Sequence, residues 1–408
     1  MASMPDQNQQ LRSNYRVMVS DVHAMGQIAV IRSLGRAGYR VHALSAKADA
    51  LGLRSRLAEV RTQHPTYDDP GFCDWLEKYI AENNIDLIIP SEGFLWAVRP
   101  IFDRLAAKMP IRPEADFIYR MINKYDYFHA ITTSDDPQVR QNCPDILYVD
   151  RENMPPDAEL KRQISVMPFP CFIKMDAAHG RTAEDGDGIA KVTTPEEAFA
   201  KIMELAESYD KFLMQGYIPG RKAGINLLIK DGEVKAHYVM KATHETPHKG
   251  GVASLRHTWQ HDTMLADAIA KMRHVGWNGA LMVEYRWDEE TDRFALVEIN
   301  LRFWGYLHLC LYGGVDFPML LADDHLGLDT VPSYPVPRPA TARCLSFETG
   351  YLLSLLKDGE VGIGKKLGAL VNFLLVGLNP AIYSDGFFPG DRGLWCHELT
   401  QTVRNLLK

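Results

Sequence analysis

In the first part of the chain, segments with the apolar pattern of buried strands alternate with segments that have the apolar period of helices. Residues 15–21 predict a buried strand followed by a turn, and the next segment has a helical period that ends at Gly38. A second strand is predicted at 40–44, and another helix and strand follow between 72 and 90. Because strands alternating with helices are typical of an open parallel sheet, we expect a Rossmann-like α/β domain over residues 15–115.

The turn after the first predicted strand bears on what this domain binds. Its sequence, "SDVHAMGQIA", has one glycine, whereas a dinucleotide-binding turn needs three. We therefore interpret the domain as a scaffold that lines a cleft, and we rank a Rossmann oxidoreductase low. The polar residues 1–14 before it are predicted to be a disordered lead-in.

The middle of the chain changes to the period of two that is typical of half-buried strands. One predicted hairpin turns at Asp231-Gly232, and a second has "DEETDR" at its tip. A helix between the strands begins after Thr194, which is a suitable N-cap residue. The pattern predicts an α+β domain with much antiparallel sheet over residues 116–330.

The last part of the chain, residues 331–408, is predicted to be a small C-terminal extension. It opens with a proline-rich segment and later contains the apolar stretch "GKKLGALVNFLLVGLNP". This stretch is too short to span a bilayer. We expect a buried or domain-covering helix here, with an interfacial membrane helix as the alternative.

Composition narrows the class of protein. A chain of 408 residues with a net charge of −7 lacks the positive field of a general nucleic-acid binder. The six cysteines are scattered without a CxxC pair, which argues against a zinc site or a disulfide framework. The N-terminal residues lack the apolar segment of a signal peptide. We therefore expect a cytoplasmic protein with reduced thiols.

Three polar residues on two neighbouring strands are the strongest candidates for chemistry. Glu284 lies in one strand of the second hairpin, and Glu298 and Asn300 lie two positions apart in the other. Pairing across the turn brings the two carboxylates together, and a divalent cation relieves their repulsion. Two carboxylates and an amide suit Mg²⁺. The alternative is a solvated sheet face on which Arg286 or Arg302 pairs with the acids.

Two further segments have features of a nucleotide site. Lys174 ends the apolar strand "CFIKM", where a point charge suits phosphate oxygens, and a glycine-containing loop follows at 180–188. The loop is not of the Walker type. The segment "QGYIPG", residues 215–220, offers hydrogen-bonding groups and flat apolar surface at the end of a strand.

The order of these segments resembles the ATP-grasp superfamily. The motifs that carry the resemblance are "NKY", "PCFIKMD", "LMQGYIPG", "VEY" and "VEINLRF", together with "GGVDFPMLL". The chain is most similar to the branch that contains carboxylate–amine ligases, biotin carboxylase and carbamoyl phosphate synthetase. The resemblance implies a Rossmann-like pre-ATP-grasp domain, a two-subdomain ATP-grasp domain and a C-terminal extension.

The resemblance implies a nucleotide site built from Glu284, which is also assigned to the metal, and five further residues. Lys124 and Lys174 would contact the phosphates of ATP. Gln215, Tyr217 and Ile218 would lie at the adenine, the last two through backbone groups. The phosphate loop is longer and more acidic than is usual in the superfamily, which leaves its contacts open.

The resemblance also implies a metal site and an anion site. One or two Mg²⁺ ions, with Mn²⁺ as an alternative, would be held by Glu284, Glu298 and Asn300. Arg302 would face the reacting phosphoryl or acyl group. Arg256 is the candidate second anion contact, and Lys241 competes with it for this role.

The activity implied by the resemblance is ATP-dependent ligation of a small carboxylate to an amine through an acyl phosphate, releasing ADP and phosphate. One alternative is an ATP-grasp enzyme that acts on a polymer, a lipid-linked or a carrier-bound substrate at the membrane surface. Another is a catalytically silent, nucleotide-binding regulator. Homodimers are common in this branch, and the oligomeric state of this chain stays open.

Overall fold

The computed structural model of the chain describes residues 7–181, 188–328, 330 and 335–406. Its N-terminal sheet has four parallel strands in the order β3-β2-β1-β4, as the alternating pattern predicts. The helices and strands of this region are α1 (Gln7–Arg12), β1 (Arg16–Val19), α2 (Met25–Ala37), β2 (Arg40–Ser45), β3 (Val60–Gln63), α3 (Phe72–Glu82), β4 (Leu87–Ile89), α4 (Glu92–Ala97), α5 (Phe102–Leu105) and α6 (Ala115–Met121).

A second, smaller sheet follows and is antiparallel, in the strand order β5-β8-β6-β7. The Thr194 side chain accepts a hydrogen bond from the Glu197 amide, which confirms the predicted N-cap of its last helix. The elements of this region are α7 (Lys124–Thr132), α8 (Pro137–Arg140), β5 (Ile146–Asp150), α9 (Asp157–Ser165), β6 (Cys171–Met175), β7 (Gly188–Val192), α10 (Pro195–Leu205) and β8 (Lys211–Gly216).

The third sheet, called the central sheet below, has seven strands in the order β13-β12-β9-β10-β11-β14-β15. Neighbouring strands are antiparallel except for β14 and β15, which are parallel. Its elements are β9 (Arg221–Lys230), β10 (Glu233–Thr246), β11 (Val252–Thr258), α11 (Asp262–Val275), β12 (Gly279–Trp287), β13 (Phe294–Asn300), α12 (Leu307–Tyr312), α13 (Phe317–His325), β14 (Thr341–Arg343), α14 (Leu345–Lys357), α15 (Ile363–Leu378), β15 (Ile382–Ser384) and α16 (Gly393–Leu406).

Turn chemistry fixes the local ends of these elements. Gly38 has a φ of 105° at the C-terminus of α2, a left-handed conformation that glycine adopts without strain. Asp231 and Gly232 both have positive φ, at 52° and 79°, between β9 and β10. This is the conformation of the predicted two-residue hairpin turn, and it holds the two strands in register.

The prediction that residues 1–14 are disordered is wrong for the second half of this segment. Residues 7–12 form α1, and the Arg12 guanidinium donates to the Asp323 carboxylate at 2.9 and 2.5 Å. Asp323 lies in α13, far along the chain, so a local reading of a polar segment cannot find this partner. Residues 1–6 lie outside the described residues.

The C-terminal region differs from expectation in two respects. Its strands β14 and β15 extend the central sheet at one edge, which the sequence pattern does not indicate. The predicted apolar helix exists as α15, but it is not buried: among its sixteen residues only Val376 is. No helix among the described residues is long and apolar enough to cross a membrane.

Apolar packing joins the sheets into shared cores. One buried cluster contains Phe102 and Met109 from the N-terminal region together with Leu213 of the small sheet and Val283 of the central sheet. The domain limits at residues 115 and 330 therefore stay a prediction. All six cysteines are free thiols.

Candidate active site

Glu284 and Glu298 are direct cross-strand partners in the β12–β13 hairpin. This confirms the pairing that their spacing predicts. The Glu284 side chain is buried, Asn300 is buried two residues beyond Glu298, and Glu298 itself is half-buried. Two carboxylates and an amide are thus presented within one hairpin, at the edge of the central sheet.

A β-bulge at Val297 shapes this edge. Glu284 pairs with Glu298, but Tyr285 pairs with Leu296, so Val297 has no partner in the register. The extra residue lets Leu296 and Ile299 both enter the same buried core although they are three residues apart. The bulge also lets the Val297 carbonyl accept a hydrogen bond from the Lys174 ammonium at 2.7 Å.

Lys174 is buried beneath the acidic pair, at the end of β6. Burial lowers the pKa of Lys174 to about 8, and the carboxylates of Glu298 and then Glu284 act in the opposite direction. A lysine with these neighbours is placed to contribute positive charge to an anion that enters the cleft. Its predicted contact with phosphate stays a prediction.

Lys124 lies at the first position of α7, and Asp176, directly after β6, holds it from two sides. The Asp176 carboxylate accepts from the Lys124 amide at 2.7 Å and from its ammonium at 2.8 Å. Burial lowers the pKa of Lys124, but Asp176 and, after it, Glu298 outweigh burial and raise it. Lys124 therefore stays charged. Sequence reasoning missed Asp176, although it stands in the quoted motif "PCFIKMD".

Arg302 lies just beyond the end of β13 and reaches the N-terminal region. Its Nε atom donates to Oε2 of Glu92 at 3.0 Å, and both side chains are partly exposed. Glu92 opens α4 after the last strand of the parallel sheet, at the carboxyl edge where such sheets bind ligands. A small cavity lies here, lined by Glu92, Leu95, Ile122, Lys124, Tyr127, Glu298, Ile299, Asn300, Leu301 and Arg302.

A second set of charged residues lies on β9, β10 and β12, and the sequence did not predict their pairing. The Lys222 ammonium lies 2.9 Å from Oε2 of Glu284. Arg286 donates two hydrogen bonds to the Glu245 carboxylate, at 2.7 and 2.8 Å. Lys222 and Arg286 are cross-strand partners of like charge, so each is stabilised by a different acid. The only sequence signal is the charge of these residues within apolar strands.

The predicted adenine residues lie at the end of β8. Gln215 is buried and its amide is 3.4 Å from the carbonyls of Leu296 and Val297. The Tyr217 ring is 45% exposed, and its backbone N–H donates to the Pro170 carbonyl. That N–H is therefore already used within the protein. Ile218 is half-buried, and the roles of all three residues stay predictions.

Arg256 does not lie in the open cleft, which corrects the expected anion contact. Its side chain has no exposed surface, and its guanidinium is bonded to the Asp385 carboxylate and the Ser254 carbonyl. The structure gives it a role in joining β11 to the C-terminal segment. Its competitor Lys241 is not beside the acids either, because its ammonium lies over the rings of Trp259 and Trp287, at 5.0 and 4.5 Å.

The predicted phosphate loop at 180–188 can be described only at its ends, because residues 182–187 lie outside the described residues. Among the described residues, no cluster of three or more histidine, cysteine or acidic side chains could hold a metal alone. Glu284, Glu298 and Asn300 supply only part of the ligands of a metal ion. Such a partial set of oxygen ligands is the kind that Mg²⁺ completes with substrate phosphates.

Comparison with known proteins agrees with this architecture. A family model described as "ATP-grasp in the biosynthetic pathway with Ter operon" matches residues 208–348, which contain the β12–β13 hairpin. The chain is also similar to three crystal structures of low sequence identity. No curated protein sequence matches it.

The similar structures all cover most of the chain. L-amino acid ligase from Bacillus licheniformis is 12% identical, with a TM-score of 0.54 over 77% of this chain and 74% of that one. Biotin carboxylase from Campylobacter jejuni, in a β,γ-ATP complex, is 17% identical, with a TM-score of 0.57 over 78% and 72%. N5-carboxyaminoimidazole synthetase from Staphylococcus aureus is 13% identical, with a TM-score of 0.56 over 80% and 81%.

The parallel N-terminal sheet, the small antiparallel sheet and the large central sheet are thus the parts of an ATP-grasp fold. Residues 208–348 match an ATP-grasp family model, and the chain has the fold of these three structures, which agrees with the resemblance that its motif order indicates.

Proposed function

We propose that this protein is an ATP-dependent ligase that joins a small carboxylate to an amine. The observation that carries the proposal is the pair Glu284 and Glu298, held side by side with Asn300 near the buried Lys174 and the half-buried Lys124. Support also comes from the similar structures, whose names include an amino acid ligase and a synthetase. The matching family model, described as part of a biosynthetic pathway, favours a small-molecule product.

The acidic pair fits a divalent cation. Neighbouring carboxylates in a partly buried site repel one another unless a positive charge lies between them. Glu284, Glu298 and Asn300 would hold the ion, and all their ligand atoms are oxygens, which Mg²⁺ and Mn²⁺ accept. When bound, Mg²⁺ supplies charge neutralisation at the phosphate oxygens of the nucleotide.

The protein's own cations would complete the phosphate site. Lys124 and Lys174 stand next to Glu298 and would bind the phosphate chain, one from the start of α7 and one from the end of β6. Arg302 would bind the carboxylate that receives the γ-phosphoryl group and stabilise the charge that develops there. Its hydrogen bond to Glu92 holds the guanidinium in position.

The proposed chemistry has two steps. A carboxylate oxygen of the acid attacks the γ-phosphorus, the bond to ADP breaks, and an acyl phosphate forms. The amine nitrogen then attacks the acyl carbon and loses a proton, the bond to phosphate breaks, and an amide remains. Closure of the cleft would exclude water, which otherwise hydrolyses the acyl phosphate.

A phosphate-release screen over amino acids and small carboxylates, alone and in pairs, tests the proposal. We expect ADP and phosphate only when an acid and an amine are both present. Glu298→Gln should lower the rate at least about a hundredfold, because a metal ligand becomes neutral. Glu290→Gln, at the exposed tip of the same hairpin, is the matched control.

Two results would contradict the proposal. Full activity in Glu298→Gln would remove the site assignment. Binding of Mg·ATP without ADP formation over the whole panel would instead favour the catalytically silent regulator.

A further inference from the structure

Helix α15 is unusual because its apolar side chains face away from the protein. Seven large apolar residues are between 39% and 81% exposed along its sixteen positions: Ile363, Leu367, Leu370, Val371, Leu374, Leu375 and Leu378. Scattered exposed leucines are common on protein surfaces, but a contiguous apolar patch marks an interaction site.

The spacing of these residues places them in one stripe. They follow Ile363 at intervals of 4, 7, 8, 11, 12 and 15 positions, which is the pattern of a single helical face. The less exposed positions, Lys366, Ala369, Phe373 and Val376, form the other face and pack towards the protein. An ordinary surface helix has the reverse arrangement, with its apolar stripe against the core.

The body of the protein fixes how this stripe is presented. α15 lies beside α14, and the Asn372 amide nitrogen is 3.4 Å from Nε2 of His244 in β10. Side chains of α14 and β10 are joined beneath it, because His244 lies 3.1 Å from the Glu348 carboxylate. These contacts leave the apolar stripe on the side of α15 that faces away from α14 and the central sheet.

Charge distinguishes between the surfaces that could cover the stripe. Residues 363–378 contain no carboxylate, and the two charged residues are Lys365 and Lys366 in the first turn. Cations are unfavourable at a helix N-terminus, so their position does not stabilise the helix itself. The acids just before the helix, Asp358 and Glu360, are both paired with Lys249, at 2.8 and 2.7 Å. The helix thus presents a positive end to an external anionic surface.

A bilayer covers this stripe with fewer requirements than a second copy of the chain does. A helix of this length is about 24 Å long and one face of it is narrow. A stable protein interface covers about 800 Å² on each partner and needs a surface of complementary shape opposite it. A bilayer has no such requirement, since a single amphipathic helix lying in the headgroup region buries its apolar face there.

We propose that α15 seats this protein on an anionic phospholipid bilayer. The apolar stripe enters the boundary between headgroups and acyl chains, and the exposed Lys365 contacts the phosphates of the lipids. A helix that lies in the plane of the interface contacts one leaflet. This inference does not depend on the proposed ligase activity.

Co-sedimentation of the full chain with lipid vesicles tests the proposal. We expect it to sediment with vesicles of phosphatidylcholine and phosphatidylglycerol in equal parts, and more weakly with phosphatidylcholine alone. The double variant Leu374→Glu/Leu375→Glu should bind vesicles at least about tenfold less, because two leucines that enter the bilayer are replaced by charged side chains. Both positions are more than 60% exposed, so the fold should tolerate the change.

Matched variants make the result specific. Val166→Glu, at a position 79% exposed in another part of the surface, should bind vesicles like the unchanged protein. Lys365→Ala should weaken binding to the anionic vesicles about fivefold and leave binding to phosphatidylcholine unchanged. Circular dichroism verifies that each variant is folded.

Three outcomes would overturn the proposal. The unchanged protein could stay in the supernatant with both kinds of vesicle. It could bind neutral and anionic vesicles equally, which would remove the role of Lys365. It could form a dimer in sedimentation velocity that Leu374→Glu/Leu375→Glu abolishes, without any vesicle binding, which would assign the stripe to a second copy.

Discussion

The ammonium of Lys222 lies 2.9 Å from the carboxylate of Glu284, with only 11% of either side chain exposed. Lys222 therefore neutralises one member of the acidic pair from β9, while Glu298 approaches it from β13. If Glu284 is a metal ligand as proposed, the Lys222 ammonium neutralises this carboxylate in the metal-free protein, and a bound metal ion neutralises it as well.

Lys222→Met should destabilise the metal-free protein by about 2 kcal/mol, because a buried carboxylate loses its partner. Mg²⁺ together with ATP should restore more stability in the variant than in the unchanged protein, since the ion then supplies the missing charge. Thermal unfolding with and without Mg·ATP measures both effects. Lys201→Met, which removes an exposed pair with Glu204, is the control and should change little. An unchanged response to Mg·ATP would argue against a metal at Glu284.

Arg302→Met should lower kcat at least about a hundredfold, because the guanidinium is proposed to stabilise developing negative charge. The free energy of unfolding should change by less than about 1 kcal/mol, since its bond to Glu92 is partly exposed. Steady-state kinetics and urea unfolding separate the two effects. If a loss of stability accounted for the whole loss of rate, Arg302 would be only a structural link between the end of β13 and the N-terminal region.

Arg256→Met should destabilise the protein by about 3–5 kcal/mol, because it leaves the Asp385 carboxylate buried and unpaired. Replacing both residues, with Arg256→Met and Asp385→Leu, should recover most of this loss, since no buried charge remains without a partner. Urea unfolding measures the stability, and kcat per folded molecule should be nearly unchanged. A large fall in kcat in the stable double variant would return Arg256 to the reaction.

His308 should make the protein sensitive to acid. Its side chain is completely buried, and burial and then the Arg32 charge hold its pKa well below the ordinary value. Because the unfolded chain takes up a proton near pH 6.5 that the folded protein refuses, stability is present above this pH and is lost as the pH falls below it. The slope from one such group is about 1.4 kcal/mol per pH unit.

His308→Gln tests this origin. The amide can still accept from Arg32, which donates to Nε2 of His308 at 2.8 Å, but it cannot bind a proton. Between about pH 5 and 6.5, we expect the free energy of unfolding to depend less steeply on pH. The decrease in slope should correspond to at most one bound proton. A slope equal to that of the unchanged protein would assign the acid sensitivity to other histidines.

The sequence by itself determined the elements and one decisive pairing. Alternating periods predicted the parallel N-terminal sheet, and the Asp231-Gly232 turn and the Thr194 cap followed from local backbone preferences. The pairing of Glu284 with Glu298 was predictable because a short hairpin tip fixes which residues face each other.

Only the tertiary structure decided which charges meet and which faces are covered. Glu92 is 210 residues from Arg302, and Arg256 is 129 residues from Asp385, so no local pattern contains these pairs. The exposure of α15 likewise depends on what packs beside it, because an apolar period looks the same whether the core or the surroundings cover it. Local preferences act within a few residues, whereas burial and ion pairing depend on the whole folded chain.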